Sequence, residues 1–334
     1  MDAGNDSGNK GEGMGNKITA FSAGRLNGNT EVYMKEALWA AQEMGCEVEL
    51  IRLNECDLKA CKGCKKQNCG MIGEEACPLK GDDCWWMINK FLDSDGFMFG
   101  APVWAVAPPG IASVFRDRIM GPKMDISAHQ MFGEPKWMNG RSKARPGALI
   151  SVGGAQTEHW TALGLPTLYT ITFSAQIEVV DHLNVTGVAD PGAATFYEDK
   201  IEEARAVGRH LAYAVLHPDE PNTWMGDPDK GLCPGCHLNL ISLNPKTNEI
   251  CCAVCGHHGQ LVIEDGKIVD IKFVENDPDD RLTFAGKATH GAEIGKVMQT
   301  EYLPRKEEAI ANNKEYAKRS DIIVLPPSKT KKAE

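Results

Sequence analysis

The chain has 334 residues, of which 42% are hydrophobic, and its formal net charge is −10 at pH 7. This length is enough for one substantial core and a second, smaller unit. The acidic balance argues against a nucleic-acid partner, because the phosphate backbone is bound by clustered Lys and Arg.

Residues 1–16 are polar and rich in glycine, and they lack the apolar core of an export signal. No apolar run elsewhere approaches the roughly 20 residues that span a bilayer. We therefore expect a disordered start and a soluble, cytoplasmic protein without a membrane segment. Twelve cysteines in such a protein would stay reduced, so their grouping indicates metal ligands rather than disulfides.

A strand, a turn and a helix start are predicted over residues 17–30. Unpaired N–H groups and the positive end of the helix dipole would face this turn. The polar side chains around it are Ser22, Asn27, Asn29 and Thr30. Because neither the dinucleotide fingerprint nor the P-loop pattern occurs, the turn favours a phosphate monoester, and FMN is the usual ligand of such a turn.

Strands and helices continue to alternate up to residue 216. Further strands are predicted at 47–53, 95–104, 148–152 and 176–185, with helices at 30–45, 84–93, 109–119, 158–169 and 197–216. Five strands separated by helices predict a doubly wound, mainly parallel α/β sheet. Ligands bind at the carboxyl ends of such strands, where the turns at 22–30, 102–109 and 153–159 would converge on one site.

Two groups of cysteines lie outside this pattern. Residues 56–84 form a long loop without helical or strand periodicity, and such a loop inside a compact domain is usually functional. Further on, two C-x2-C pairs are separated by 15 residues, a spacing typical of zinc ribbons and rubredoxins. Their cysteines are Cys233, Cys236, Cys252 and Cys255. The spacing predicts a metal site here and leaves both zinc and a rubredoxin-type iron open.

Composition divides the chain into five parts. After the disordered start at 1–16 we expect a cofactor-binding domain at 17–217, a linker at 218–231, a four-cysteine β module at 232–275 and a charged extension at 276–334. The β module is predicted to contain a hairpin at 260–273.

Four motifs together resemble the flavodoxin-like NAD(P)H-dependent FMN reductases, in particular their iron–sulfur flavoprotein branch. They are residues 22–30, Cys61-Lys-Gly-Cys64, Gly100-Ala-Pro-Val-Trp104 and Ser151-Val-Gly-Gly154. The resemblance covers about residues 17–215. It implies a flavodoxin-like fold, noncovalent FMN, and homo-oligomers in which the FMN lies near a subunit interface.

By motif position, the resemblance also assigns roles to individual residues. Phosphate contacts fall to Ser22, Arg25, Asn27, Asn29 and Thr30. The edge of the flavin ring would be lined by Pro102, Val103 and Trp104, and the backbone would approach the ring at Gly153 and Gly154. No separate catalytic side chain is expected, since the flavin itself carries the redox chemistry.

The cysteine loop departs from that branch, which has C-x2-C-x2-C followed by a fourth cysteine. Gln67 stands at the third position here. Four thiolates on one flexible loop can still close around a [4Fe–4S] cluster, with Cys84 as a substitute ligand. The candidate ligands are Cys61, Cys64, Cys69 and Cys77. Zinc at the same thiolates, or no metal, also stays open.

Three functional hypotheses follow. The first is an FMN-dependent oxidoreductase that takes a hydride from NAD(P)H and passes electrons to a small molecule or a redox partner protein, through an iron–sulfur cluster where one is present. The second is a flavodoxin-type electron carrier without nicotinamide chemistry. The third is a redox-sensing protein whose zinc ribbon binds a partner. Three flavin-type turns beside two cysteine groups favour the first.

Overall fold

The computed structural model describes residues 15–64, 68–121, 123–319, 321–324 and 326. Residues 1–14 of the predicted disordered start, Gln67 and most of the basic end lie outside these ranges. Among the described residues, every helix is too short or too polar to traverse a bilayer.

A five-stranded parallel sheet confirms the predicted α/β class. Its strands are β1 (Lys17–Ser22), β2 (Glu47–Arg52), β3 (Gly96–Val103), β4 (Arg145–Gly153) and β5 (Ile177–Val185). They pair in the order β2-β1-β3-β4-β5, and every pair is parallel. The chain reverses its direction of winding between β1 and β3, so the crevice at their carboxyl ends is where a ligand is expected.

Helices cover both faces of the sheet, as parallel strands require. In chain order they are α1 (Asn29–Glu43), α2 (Cys69–Ile72), α3 (Cys84–Leu92), α4 (Gly110–Phe115), α5 (Ile126–Phe132), α6 (Gly164–Thr172) and α7 (Glu198–Leu216). Helices α1 and α7 pack on one face over a buried apolar cluster. Helices α3, α4 and α6 pack on the other face over a second cluster.

The structure differs from the prediction at the start of α6 and inside the cysteine loop. Helix α6 begins at Gly164 rather than near residue 158, and Glu158–Trp160 forms only a short 3-10 turn. A Cβ atom at Gly164 would collide with the side chain of Ser151, so the glycine lets the helix start pressed against β4. The loop at 56–84 contains α2 and a 3-10 turn at Glu74–Ala76.

A second, antiparallel sheet follows the first. Its strands are β6 (Ile241–Leu243), β7 (Glu249–Cys252), β8 (His258–Glu264) and β9 (Lys267–Phe273), paired in chain order. The predicted hairpin is confirmed as β8 and β9. Asp265 and Gly266 at its turn both have positive φ, 48° and 71°, as a two-residue type I′ turn requires.

The two sheets share one core. The four cysteines of the two C-x2-C pairs belong to the same apolar cluster as Leu165, Leu168 and Tyr169 of α6. The compact unit that contains both sheets runs to Gly286, and a second unit runs from Lys287 to the end. The predicted division at residues 217, 231 and 275 stays a prediction.

The described residues after 283 are mostly helical. Helix α8 spans Phe284–Val297 and helix α9 spans Lys306–Lys318. The sequence predicts an exposed loop at residues 281–290, which mix cations with a glycine, whereas the structure has α8 beginning at Phe284. Residues 322–324 are exposed and form no strand.

Candidate cofactor and metal sites

A cavity of about 300 Å³ opens at the carboxyl ends of β1, β3 and β4. Seven of the ten predicted flavin-site residues line it: Arg25, Asn29, Thr30, Pro102, Val103, Trp104 and Gly154. The three predicted turns therefore converge on one space. Ser22, Asn27 and Gly153 are not part of its lining.

Hydrogen bonds from and to side chains fix the backbone of the turn before α1. Ser22 is buried, and its Oγ accepts a 3.2 Å hydrogen bond from the Gly24 N–H. The Asn54 amide donates to the Gly24 carbonyl at 2.7 Å. Asn27 adopts φ of 54°, and its N–H donates to the Glu31 carboxylate at 3.2 Å. Ser22 and Asn27 thus shape the turn, and their contact with a phosphate stays a prediction.

Glu31 is a buried carboxylate in the first turn of α1. Arg52 donates to its two oxygens at 2.7 and 3.0 Å, and the Lys35 ammonium lies 2.6 Å away. Burial alone would oppose ionisation, but these hydrogen bonds outweigh it and lower the pKa of Glu31 to about 2. Two cations therefore offset the carboxylate, which leaves the helix N-terminus able to attract an anion.

Asn29 joins the helix start to a wall that the sequence did not predict. Its side-chain amide donates to the Asp190 carbonyl at 2.8 Å and to the Val188 carbonyl at 3.3 Å. Its side-chain oxygen accepts from the Ala194 N–H at 3.2 Å. The segment after β5 supplies Val188, Ala189 and Pro191 to the cavity. This segment follows the carboxyl end of β5, and that position is the sequence signal from which its place in the site could have been predicted.

The opposite wall carries Trp104, which is 59% exposed. The Arg25 guanidinium lies over its ring at 5.8 Å from the centroid. Gly154 faces Ala189, whose Cβ would be 3.0 Å from an added side chain. Gly153 is needed for another reason, because Thr161 occupies the place of its missing side chain.

These features fit a flavin mononucleotide. The 15-residue helix α1 directs its unpaired N–H groups at the cavity, where Thr30 adds a hydroxyl, as a phosphate monoester needs. Pro102, Val103 and Trp104 offer an apolar edge for a planar ring. Nothing in the lining supplies the second cluster of donors that a pyrophosphate would require.

The first cysteine group shares a separate cavity of about 170 Å³. All four predicted ligands, Cys61, Cys64, Cys69 and Cys77, line it. Among the described residues these four thiols do not come close enough together for a single ion, which requires all ligand atoms within 4.8 Å of one another. Cys84 is buried outside the cavity lining, and burial raises the pKa of its thiol to about 12.

The second cysteine group is already arranged as a metal site. Its four sulfurs lie within 4.8 Å of one another and are fully buried. Two sulfur pairs are 3.3 Å (Cys233 to Cys255) and 3.5 Å (Cys236 to Cys252) apart. A tetrahedral Zn–S bond of about 2.3 Å places its sulfurs about 3.8 Å apart, so a single ion fits.

The two C-x2-C pairs fold into matching turns. In each, the residue after the second cysteine has positive φ, 55° at His237 and 88° at Gly256. Its N–H donates at 2.8 Å to the carbonyl of the first cysteine of the pair, Cys233 or Cys252. Cys251 lies outside the set, as the sequence predicts.

His257 is buried, which differs from the solvated turn that the sequence predicts. Its Nε2 lies 2.7 Å from the Val274 carbonyl, so Nε2 is the protonated donor. Its Nδ1 has no hydrogen-bond partner among the residues that the structure describes, and it lies 3.4 Å from the Asp280 carboxylate. The ring therefore packs beside Cys255 as part of the surroundings of the four sulfurs.

Comparison with known proteins finds similarity over the region that contains the cofactor cavity. Residues 16–177 match the family model of the NADPH-dependent FMN reductases. An iron–sulfur flavoprotein of Methanocaldococcus jannaschii is 26% identical over 198 residues, which cover 57% of this chain and 92% of that protein.

Two further relatives match nearly the whole chain. A flavone synthase of Aspergillus candidus is 26% identical over 331 residues, covering 94% of this chain and 99% of that protein. The solved structure of a flavone reductase superposes with a TM-score of 0.71 at 25% identity, covering 93% of this chain and 99% of the other. The similarity thus includes the four-cysteine sheet, which the family model does not reach.

Proposed function

We propose that the chain, whose residues 16–177 match the family model of the NADPH-dependent FMN reductases, is an NAD(P)H-dependent FMN oxidoreductase acting on a flavone-type acceptor. When bound, FMN would carry a hydride between the nicotinamide and the organic acceptor. The cavity at the ends of β1, β3 and β4 is the observation that supports the flavin part.

The acceptor is proposed from the extent of the similarity. A plain reductase domain would match only the first half of the chain. Here the relatives named for making and for reducing flavones match the four-cysteine sheet as well. We propose that the reduced bond is a carbon–carbon double bond conjugated to a carbonyl. One NAD(P)H and one proton would then give the dihydro product and NAD(P)+.

The two cysteine groups are assigned different centres. The sulfurs of Cys233, Cys236, Cys252 and Cys255 would hold one structural zinc, since four thiolates already close a tetrahedral shell. The cavity with Cys61, Cys64, Cys69 and Cys77 would hold a [4Fe–4S] cluster, whose sulfur ligands stand farther apart than those of one ion.

A homo-oligomer is proposed to cover the flavin cavity. Four large apolar side chains that follow the carboxyl ends of β1, β3, β4 and β5 are more than half exposed: Leu26, Trp104, Trp160 and Phe196. An exposed apolar patch of this kind marks an interaction site. Light scattering of the purified protein, compared with a Phe196→Glu variant, tests whether a second copy packs there.

Anaerobic stopped-flow absorption tests the activity. FMN-loaded protein is mixed with NADH or NADPH, and the reduced protein is then mixed with flavone while mass spectrometry identifies the product. We expect one nucleotide to bleach the flavin band and flavone to restore it with formation of the dihydro compound. If neither nucleotide bleaches the flavin but a reduced ferredoxin does, the protein is an electron carrier. If flavone leaves the reduced flavin unchanged, the acceptor is wrong.

A further inference from the structure

Two cations are buried at the first cysteine cavity. Arg118 and Lys123 line it beside the four cysteines, and each is only 1% exposed. A positive charge removed from water needs an opposite charge or strong hydrogen-bond acceptors nearby. How these two cations are paired therefore indicates the charge of the group that the cavity holds.

Arg118 has a counter-ion of its own. Its Nη2 lies 3.1 and 3.2 Å from the two carboxylate oxygens of Asp82, which is equally buried. Its Nη1 donates to the Cys77 sulfur at 3.3 Å. Asp82 thus offsets Arg118, and one of the four sulfurs receives a hydrogen bond from a charged donor.

Lys123 has no such counter-ion. Its ammonium donates to the Arg118 carbonyl at 2.6 Å, and no carboxylate of the described residues lies within 4 Å of it. The carbonyl belongs to the end of the helical segment Arg116–Met120. A simple helix cap offers only about half an elementary charge. A full positive charge is therefore left only partly offset.

We propose that Lys123 supplies the counter-charge for an anionic metal–thiolate centre on Cys61, Cys64, Cys69 and Cys77, and that Arg118 positions the Cys77 sulfur of that centre through its hydrogen bond. This inference rests on the proposed cluster. Four thiolates around a [4Fe–4S] core carry a net negative charge. Four neutral thiols would leave the Lys123 ammonium with the Arg118 carbonyl as an acceptor but without a counter-charge. Lys123 is thus a positioning residue for the centre rather than a ligand.

The proposal predicts opposite effects on the two forms of the protein. In the metal-free form, Lys123→Met removes an uncompensated buried charge and should raise the melting temperature. In the iron-loaded form, the same substitution removes the counter-charge of the centre and should lower the melting temperature. The reduced centre is more negative than the oxidised one, so the same change should shift the midpoint potential to a more negative value. Lys123→Arg, which keeps the charge, should stay closer to the parent protein.

The experiment uses the full chain purified without oxygen and reconstituted with iron and sulfide. Iron and sulfide content, the EPR spectrum after reduction, the midpoint potential and the melting temperature are measured for the parent chain, Lys123→Met and Lys123→Arg. Lys143→Met is the matched control, because Lys143 is a half-exposed lysine paired with Asp95.

The proposal is supported if Lys123→Met melts at a higher temperature than the parent chain without metal and at a lower temperature with iron, together with the negative shift in midpoint potential. If Lys123→Met destabilises both forms equally, or leaves the iron content and the potential unchanged, Lys123 only caps a helix and the proposal is overturned. A parent chain that binds no metal at these cysteines overturns the cluster and this inference together. The reaction of FMN with nicotinamide is read separately in the flavin band.

Discussion

The hydroxyl of Tyr169 on α6 donates a 2.9 Å hydrogen bond to the backbone carbonyl of Cys236 in the four-cysteine site. Because this bond uses the only hydroxyl proton, the His182 Nδ1 atom, 3.1 Å away, must be the donor in its contact with the same oxygen. Tyr169 is fully buried. The Tyr169 side chain therefore links His182 of the parallel sheet to the turn that carries Cys233 and Cys236.

Replacing Tyr169 with Phe should destabilise the whole compact unit. The change leaves the Cys236 carbonyl and the His182 N–H buried without a partner, which costs about 1–3 kcal/mol. Denaturant unfolding of the metal-loaded protein measures this loss. Tyr213→Phe serves as the control, since the Tyr213 hydroxyl meets Glu220 at the surface. Equal midpoints for the two variants would contradict the proposed link.

Cys252→Ser should release the ion of the four-cysteine site and lower the melting temperature. The reason is that one of four thiolates in a closed shell is lost. Cys251→Ser is a closely matched control, because Cys251 is the adjacent cysteine and lies outside the set of four. Metal analysis and thermal unfolding are compared for both. Loss of metal in the Cys251 variant would mean that the ligand set is wrong.

Glu31→Gln should change how stability depends on pH. The folded-state pKa of Glu31 is about 2, below its ordinary value of 4.5. Its contribution is therefore fully present above pH 4.5 and is lost as pH falls through about 2. The variant should unfold more easily at neutral pH and converge with the parent protein near pH 2. Urea unfolding at several pH values tests this, with exposed Glu315→Gln as the control. If the free energies of unfolding of the parent protein and Glu31→Gln differ by the same amount at every pH, Glu31 does not contribute to the pH dependence of stability.

Thr30→Val should weaken FMN binding with little effect on stability. The change removes one hydroxyl at the mouth of α1 and keeps the shape of the side chain. A hydrogen bond to a charged group is worth about 1.5–3 kcal/mol, so the dissociation constant should rise roughly tenfold or more. Fluorescence titration of the metal-loaded apo-flavoprotein with FMN measures this, and exposed Thr247→Val should bind as the parent does. An unchanged affinity would place the phosphate elsewhere.

The location of the cofactor cavity could be predicted from the sequence because the carboxyl ends of parallel strands meet at one edge. The order of strands and helices was enough to bring residues 25, 28–30, 102–104 and 154 together. The four-cysteine site could be predicted for a similar reason, since the spacing of two C-x2-C pairs fixes their turns.

Other features depend on contacts between distant parts of the chain, which residue types do not reveal. Asn29 is an example: its side-chain amide donates to the backbone carbonyl of Asp190, 161 residues away. In the sequence, an asparagine with this role cannot be distinguished from one that binds phosphate. Likewise, Arg118 and Lys123 read as ordinary surface cations. Only the packing of the cysteine loop over them removes them from water.

The core shared by the two sheets has a consequence for biosynthesis. Residues 17–216 leave the ribosome before the cysteines at 233–255 do, so the face of the parallel sheet that carries α6 stays partly bare until the last third of the chain emerges. Exposed apolar surface at that stage is prone to aggregation and is what chaperones bind. If the four cysteines hold the proposed ion, cells short of that ion would accumulate chains at this stage, and the supply of metal would limit the yield of the protein.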